Sequence, residues 1–124
     1  MILGIGADLV EITRIESSLR RNGDRLAKRI LTPEELQRYF KHVKKAHYLA
    51  TRFAAKEAAS KALQTGIGVI SWQDINVSNT DSGAPRLEFS GKARDLMMDL
   101  GARQSFLSLS DERNHALAFV VLSA

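Results

Sequence analysis

The sequence predicts an α+β domain in which an antiparallel sheet packs against one long alanine-rich helix. The chain opens with an apolar run typical of a strand, and an uninterrupted alanine-rich stretch near its middle is typical of a helix. The second half holds two pairs of alternating segments, each joined by a short polar turn, as in β-hairpins. The order βαααββαββ favours an antiparallel sheet, and 124 residues predict one domain, 1–124.

The first two predicted elements are a strand and a helix. Residues 2–10 form a near-continuous apolar run with two glycines, which predicts a buried strand. Thr13 can cap a helix that runs to about Asn22, and Gly23 follows as a typical helix end. A short helical turn is expected at 25–30.

Thr32 and the residues after it form a strong helix start. Thr32 occupies the N-cap position, Pro33 the first helical position and Glu35 the third. The Thr32 and Glu35 side chains can then bond each other's backbone N–H groups in a capping box. This helix is expected to run to about His42.

The alanine-rich helix is expected from about Ala46 to Gln64, with Gly66 ending it. When the helix is projected at about 100° per residue, Glu57 and Lys61 fall on the same side as several alanines. Charged side chains normally lie on the solvent-exposed side of an amphipathic helix. These two residues therefore need an explanation.

The second half is predicted as two hairpins separated by a helix. Ser90 is the expected cap of that helix, and Gly101 is expected to end it. The predicted ranges are 75–78 and 86–89 with a turn at 81–83, the helix at 92–100, and 105–110 and 116–122 around a turn at 111–115.

Composition excludes several kinds of site. The chain has no cysteine, which excludes disulfide bonds, zinc thiolate centres and thiol nucleophiles. The apolar N-terminal residues lack a basic segment and are interrupted by Asp8, so they fit neither a signal peptide nor a membrane span. We therefore expect a cytoplasmic protein that does not act on a membrane.

The positive charge is concentrated in the first half of the chain. Residues 1–56 hold 12 Lys/Arg and 6 Asp/Glu, whereas residues 57–124 hold 6 and 8. Such a surface suits an acidic partner: a nucleic acid, an acidic protein or a phosphorylated ligand. A nucleic-acid-binding module is one alternative, although no aromatic stacking platform or recognised motif accompanies the charge.

Arg14 and Arg21 lie on the side of the first predicted helix opposite its apolar residues Ile15 and Leu19. A run of charge on a helix is often only a solvated face. Because few carboxylates balance these cations, a docking face for an acidic surface is favoured.

Three charged residues stand among apolar neighbours, namely Asp8, Glu57 and Lys61. Glu57 and Lys61 are four residues apart and could form a structural ion pair, as in a non-catalytic subunit of an oligomer. Alternatively, Asp8 and Glu57 could hold a hard cation such as Mg²⁺, with Lys61 binding a phosphate oxygen. The glycines at 66 and 68 would let backbone approach a ligand close to Lys61. The spacing alone leaves both interpretations open.

Two motifs resemble those of the holo-[acyl-carrier-protein] synthase family of bacterial phosphopantetheinyl transferases. The segment GIGADLVEI at 4–12 is similar to the family's opening motif, and RFAAKEAASKA at 52–62 is similar to its helical motif. The GIG at 66–68, the GAP at 83–85 and RILT at 29–32 are similar to further family positions. The resemblance covers essentially the whole chain.

The resemblance implies a phosphopantetheinyl transferase fold, a homotrimer with sites shared between subunits, and transfer of 4′-phosphopantetheine from coenzyme A to a serine of acyl carrier protein. Asp8 and Glu57 would hold Mg²⁺, Lys61 would bind phosphate, and Glu57 is the candidate base; these three form the expected catalytic set. Arg14 and Arg21 would meet the acidic carrier protein. The residues expected at the coenzyme A site are Arg52, Lys61, Gly66, Ile67, Gly68 and Pro85.

The sequence also departs from the family. Some members carry a histidine where this chain has Asp111. A role for that histidine is therefore not transferred, and His115 lies too far along the chain to replace it.

Overall fold

The computed structural model describes residues 1–124 and confirms the predicted α+β class. The order of elements is as predicted, except that the short helical turn expected at 25–30 is a helix of its own, so four helices and not three lie between the first two strands. A short 3₁₀ turn at Trp72–Asp74, which was not predicted, precedes the second strand. None of the helices has the length and apolarity that a membrane crossing would require. The strands are β1 Ile2–Glu11, β2 Ile75–Asn79, β3 Pro85–Phe89, β4 Gln104–Asp111 and β5 His115–Ser123, and the helices are α1 Ile12–Asn22, α2 Arg25–Ile30, α3 Pro33–Lys41, α4 Lys45–Ala62 and α5 Gly91–Asp99.

The strands form two antiparallel sheets. The larger sheet has the order β1-β5-β4, and β2 and β3 form a separate hairpin. In the larger sheet Gly6 pairs with Val120, and Asp8 pairs with Ala118. Paired residues point to the same face of a sheet and alternate residues share a face, so these four residues lie on one face. Helix α4 covers that face, and the alternate residues of β5 from Ala116 to Leu122 are fully buried beneath it.

Two glycines bring the backbone of β1 into direct contact with α4. A Cβ atom added at Gly4 would lie 2.1 Å from the carbonyl oxygen of Ala62, and one added at Gly6 would lie 1.9 Å from that of Ala58. Both distances are shorter than any non-bonded contact, so only glycine fits at these positions. The helix facing them contributes alanine, which also permits close approach.

Two predicted capping residues behave differently in the structure. Helix α1 begins at Ile12, so Thr13 lies inside it, and the N-cap position belongs to Glu11, whose side chain makes no capping bond. Ser90 does occupy the N-cap position of α5, but its hydroxyl donates to the carbonyl oxygen of Asp74 instead of accepting from the helix. The capping box of Thr32 and Glu35 is confirmed.

Helix α4 ends earlier than predicted. It stops at Ala62, and Gln64 adopts a positive φ of 67° that turns the chain out of the helix. The Gln64 side chain donates to the carbonyl oxygen of Leu3 on β1. Gly66 follows, and its N–H donates to the carbonyl oxygen of Ser60, which closes the helix end.

The prediction that β1 is a buried strand is wrong for one of its two faces. Ile5 is 60% exposed and Leu9 is 64% exposed, because they point away from α4 and no other element covers that side of the sheet. Phe106, Leu117 and Phe119 of the neighbouring strands are also exposed there. We call these five residues the open sheet face.

The fully buried charges of the chain are Lys56 and Glu35, not Glu57 and Lys61. The Lys56 Nζ donates to Glu35 Oε1 at 2.7 Å and to the carbonyl oxygens of Ile30 at 2.7 Å and Trp72 at 3.1 Å. Burial lowers the pKa of Lys56, and Glu35 opposes that shift. Breaking a buried pair of this kind costs about 3–5 kcal/mol, because removing one partner leaves the other charge buried without a counter-charge.

The packing of β1 on α4 leads to a prediction for Gly6→Ala. The new Cβ would meet the carbonyl oxygen of Ala58, a backbone atom that cannot rotate away. We expect the free energy of unfolding to fall by about 3 kcal/mol or more, since overpacking of this kind is costly even where side chains can yield. Urea denaturation measures the change.

The control is Lys92→Ala, which is exposed on α5 and belongs to neither β1 nor the open sheet face. The urea concentration at the midpoint of its unfolding should stay close to that of the wild type. Equal stability of Gly6→Ala and wild type would contradict the close contact between β1 and α4.

Candidate functional site

A cavity of about 890 Å³ lies between the end of β1, helix α1 and helix α4. Asp8 lines it from β1, Glu57 and Phe53 from α4, and Arg14 and Arg21 from α1. The cavity thus joins the two predicted metal ligands and the two predicted carrier-docking residues, which the sequence could not place relative to each other.

Asp8 is held on one side only. Its Oδ1 accepts a hydrogen bond from Lys61 Nζ at 3.2 Å, and the same ammonium donates to the carbonyl oxygen of Ala7 at 3.0 Å. Its Oδ2 is buried and has no hydrogen-bond partner. A buried carboxylate oxygen without a donor is costly to leave unpaired, so this oxygen is available for a cation.

Glu57 faces the same space as Asp8. Burial raises the pKa of Glu57 above its usual value of 4.5, the Asp8 carboxylate raises it further, and the Lys61 ammonium opposes both effects. Lys61 pairs with Asp8, and no ion pair joins it to Glu57. The interpretation of Glu57 and Lys61 as a structural pair along the helix is therefore wrong.

The donor set at Asp8 and Glu57 fits Mg²⁺. Mg²⁺ prefers oxygen ligands, commonly takes one or two carboxylates, and completes its coordination with water and substrate phosphate. The chain has no group of three or more Asp, Glu, His or Cys side chains placed to hold a metal ion. A metal ion that takes all of its ligands from the protein therefore has no site here. The unpaired Asp8 Oδ2 and the like charge of Glu57 are both features that a cation would relieve.

The remaining predicted site residues do not line this cavity. Gly66 and Gly68 lie in the loop after α4 with positive φ angles of 78° and 117°, and Ile67 between them forms a bridge with Ile70. Pro85 begins β3, opposite Asn79.

Arg52 belongs to a second cluster, around Asn79. Its guanidinium lies 4.2 Å from the centre of the Tyr48 ring and donates to Asn79 Oδ1, which also accepts from Arg38. Burial lowers the pKa of Arg52, and its Nε is buried without a partner. Two guanidinium groups on one neutral acceptor, with Pro85 beside it in the hairpin, form a positive patch suited to an anion.

Sequence reasoning missed Arg38 and Asn79. Arg38 lies four residues after Glu34 and reads as a partner in a surface ion pair, which the structure also contains at 3.8 Å. Asn79 ends a short strand and carries no local signal. Only the packing of β2 beside α3 and α4 reveals their common position.

Comparison with known proteins identifies the chain. Residues 4–120 match the 4′-phosphopantetheinyl transferase superfamily. Holo-[acyl-carrier-protein] synthases of Shewanella sp. (strain W3-18-1) and Edwardsiella ictaluri are 47% and 48% identical to it; the alignments cover 99% and 97% of this chain and 98% and 96% of theirs. The chain belongs to the holo-[acyl-carrier-protein] synthase family.

Solved structures of holo-[acyl-carrier-protein] synthases have the same fold. The enzyme from Neisseria meningitidis matches with a TM-score of 0.93 at 41% identity over 100% of both chains. The Helicobacter pylori enzyme, solved in complex with coenzyme A, matches with a TM-score of 0.83 at 36% identity, over 96% of this chain and 99% of its own. The family resemblance seen in the two sequence motifs is thus confirmed over the whole chain.

Asp111, the position at which the sequence departs from the resemblance, lies at the end of β4. Asp111 is exposed there and pairs with Ala116 across the hairpin. His115 contacts Glu112 at 3.1 Å. Its imidazole is engaged within its own turn.

The raised pKa of Glu57 leads to a prediction on stability. A carboxyl group whose pKa is higher in the folded than in the unfolded protein opposes folding at pH values above that pKa. The cost is absent below the usual value of 4.5, where the group is protonated in both states. At pH 7, in the presence of a chelator, Glu57→Gln should therefore unfold at a higher temperature than the wild type. The difference between the two melting temperatures should vanish as the pH falls to 4.

Calorimetry at both pH values measures this difference. Glu11→Gln is the control, because Glu11 lies on the rim of the same cavity and is exposed; its melting temperature should not rise. A Glu57→Gln variant less stable than wild type at pH 7 would mean that the ionised carboxylate is stabilised by its surroundings.

Proposed function

We propose that this protein transfers 4′-phosphopantetheine from coenzyme A to a serine of apo acyl carrier protein, with adenosine 3′,5′-bisphosphate as the second product, in support of fatty acid biosynthesis. The observation that carries the proposal is that Asp8 and Glu57 line one cavity bordered by Arg14 and Arg21, and that Lys61 donates to Asp8. Family membership supports it, because the similar Bacillus anthracis enzyme was solved in complex with CoA (3′,5′-ADP).

Asp8 and Glu57 would hold Mg²⁺ at the diphosphate of coenzyme A. When bound, the ion would neutralise charge on the diphosphate and on the leaving phosphate. Asp8 offers its unpaired Oδ2 for this purpose, while Lys61 holds the other oxygen. The ammonium of Lys61 is about half exposed, so it can donate to a phosphate oxygen of the bound diphosphate.

The nucleophile comes from the carrier protein, which explains why the chain lacks a serine or cysteine catalytic motif. The serine oxygen forms a bond to the phosphorus that bears the pantetheine group, and the bond from that phosphorus to the 5′-phosphate oxygen breaks. The serine proton needs an acceptor within reach. Glu57 is the proposed base, because its carboxylate lines the cavity beside Asp8, where the carrier serine would meet the diphosphate.

Arg14 and Arg21 are proposed to bind the acidic carrier protein. Both border the cavity that contains Asp8, so a carrier docked on them would present its serine close to the diphosphate. Steering by opposite charge raises the association rate and falls off with salt.

The rest of coenzyme A is proposed to reach Arg52, Gly66, Ile67, Gly68 and Pro85. Because Arg52 and Pro85 lie at the separate Asn79 cluster, we propose that subunits of a homotrimer share each site. The open sheet face supplies an apolar surface for such an assembly. A single domain, 1–124, and a cytoplasmic location remain predictions.

Mass spectrometry of apo acyl carrier protein tests the proposed reaction. Incubation with this protein, coenzyme A and Mg²⁺ should add one phosphopantetheine to the carrier, and a chelator should prevent the gain. Asp8→Asn and Glu57→Gln should each slow transfer by about 100-fold or more, because each removes a ligand of the charge-stabilising ion. Circular dichroism should show both variants folded, and full activity in both would remove the metal-site assignment.

The docking surface is tested by steady-state kinetics of Arg14→Ala. We expect the KM for the carrier protein to rise about 3- to 10-fold with little change in kcat, because a rim charge contributes to encounter and not to chemistry. Increasing salt should raise the KM of the wild type in the same way. Arg94→Ala on α5, also exposed, is the control, and a KM independent of both Arg14 and salt would contradict electrostatic docking.

The assembly is tested by light scattering of the wild type and of Phe119→Lys. The wild type should have the mass of three chains. A lysine in the middle of the open sheet face should shift the mass toward one chain, because an unpaired charge is costly to bury in an interface. Met98→Lys, on exposed α5, should remain a trimer, and a fully active wild-type monomer would refute shared sites.

A further inference from the structure

The contact between Lys61 and Asp8 places two kinds of cation in competition. Lys61 Nζ lies 3.2 Å from Asp8 Oδ1 and 3.0 Å from the carbonyl oxygen of Ala7. A divalent ion bound at Asp8 Oδ2 would share one carboxylate group with this ammonium. The proposed site therefore has a built-in positive charge beside the position of its metal.

The charges of the cluster show what would relieve this competition. Asp8, Glu57 and Lys61 together carry a net charge of −1 when all three are ionised, so adding a divalent ion brings the sum to +1. A bound diphosphate returns the sum to a negative value. It also offers the Lys61 ammonium phosphate oxygens in place of the carboxylate.

Removing the Lys61 charge could act in two opposite ways. Losing a hydrogen-bonded partner of a ligating carboxylate typically weakens metal binding 10- to 100-fold, because the ligand is no longer oriented. Losing an ammonium next to a divalent ion strengthens binding, and at about 4 Å this effect amounts to at least about tenfold even with full water screening.

The structure favours the second effect, in which loss of the Lys61 charge strengthens binding of the divalent ion. Asp8 lies in the middle of β1, where its backbone pairs with Ala118 of β5, and its side chain is mostly buried against α4. Its orientation is therefore fixed largely by the strand. Lys61 is about half exposed at the end of α4, so the ammonium can leave Asp8 without disturbing the core.

We propose that Lys61 makes binding of the divalent ion depend on the diphosphate, by occupying Asp8 until phosphate oxygens accept its ammonium. This inference rests on the proposed function. By linkage, the diphosphate and the ion then raise each other's affinity by the same factor, and Lys61 contributes part of that factor. The metal would be held weakly until the nucleotide substrate is present.

Titration with Mn²⁺ followed by electron paramagnetic resonance tests the proposal, since Mn²⁺ binds the same oxygen ligands. Without coenzyme A, Lys61→Met should bind Mn²⁺ about tenfold more tightly than the wild type. Coenzyme A should tighten Mn²⁺ binding in the wild type by a larger factor than in Lys61→Met. Lys61→Arg, which keeps the charge, should behave like the wild type.

An equal or weaker Mn²⁺ affinity of Lys61→Met without coenzyme A would overturn the proposal. Asp8→Asn separates this failure from failure of the metal site itself. If Asp8→Asn loses Mn²⁺ binding while Lys61→Met gains none, only the role of Lys61 is wrong. If Asp8→Asn binds Mn²⁺ as the wild type does, both the metal site and the role of Lys61 are wrong.

Discussion

The direct contact between the backbone of β1 and helix α4 determines where the charged side chains meet. Gly4 lies against Ala62 and Gly6 lies against Ala58. Two residues advance a strand by about 6.8 Å, and four residues advance a helix by about 6 Å. The contact points on the two elements therefore remain aligned, and Asp8 lies beside the next turn of α4, which carries Glu57. A side chain at either glycine would separate the elements and with them the two carboxylates.

Neighbouring residues of α4 serve opposite sides of the molecule. Lys56 points away from the cavity into the ion pair with Glu35, which ties α4 to α3 and to the 3₁₀ turn. Glu57, one residue later and about 100° around the helix, faces the cavity. The Lys-Glu sequence therefore combines an anchor that fixes the rotation of the helix with a carboxylate whose position depends on that rotation.

The sequence predicted those features that are encoded locally. The capping box at Thr32 depends on neighbouring residues and is confirmed, as are all five strands. The buried charge was misassigned because an alanine-rich helix is apolar on nearly every side, so its pattern does not show which side faces the core. The exposure of Leu9 could not be read either, since an apolar strand gives no sign of whether one or both of its faces are covered.

The separation of the two polar clusters is the reason that the proposed function involves an assembly through the open sheet face. Arg52 and Glu57 are five residues apart on one helix, which places them about 140° apart around its axis. Arg52 joins the cluster at Asn79, whereas Glu57 faces the cavity with Asp8. The two clusters therefore lie on different sides of α4 within one chain. In the proposed homotrimer the arginine cluster of one subunit would complete the site of a neighbour, and the open sheet face is the exposed apolar surface that we propose this assembly buries.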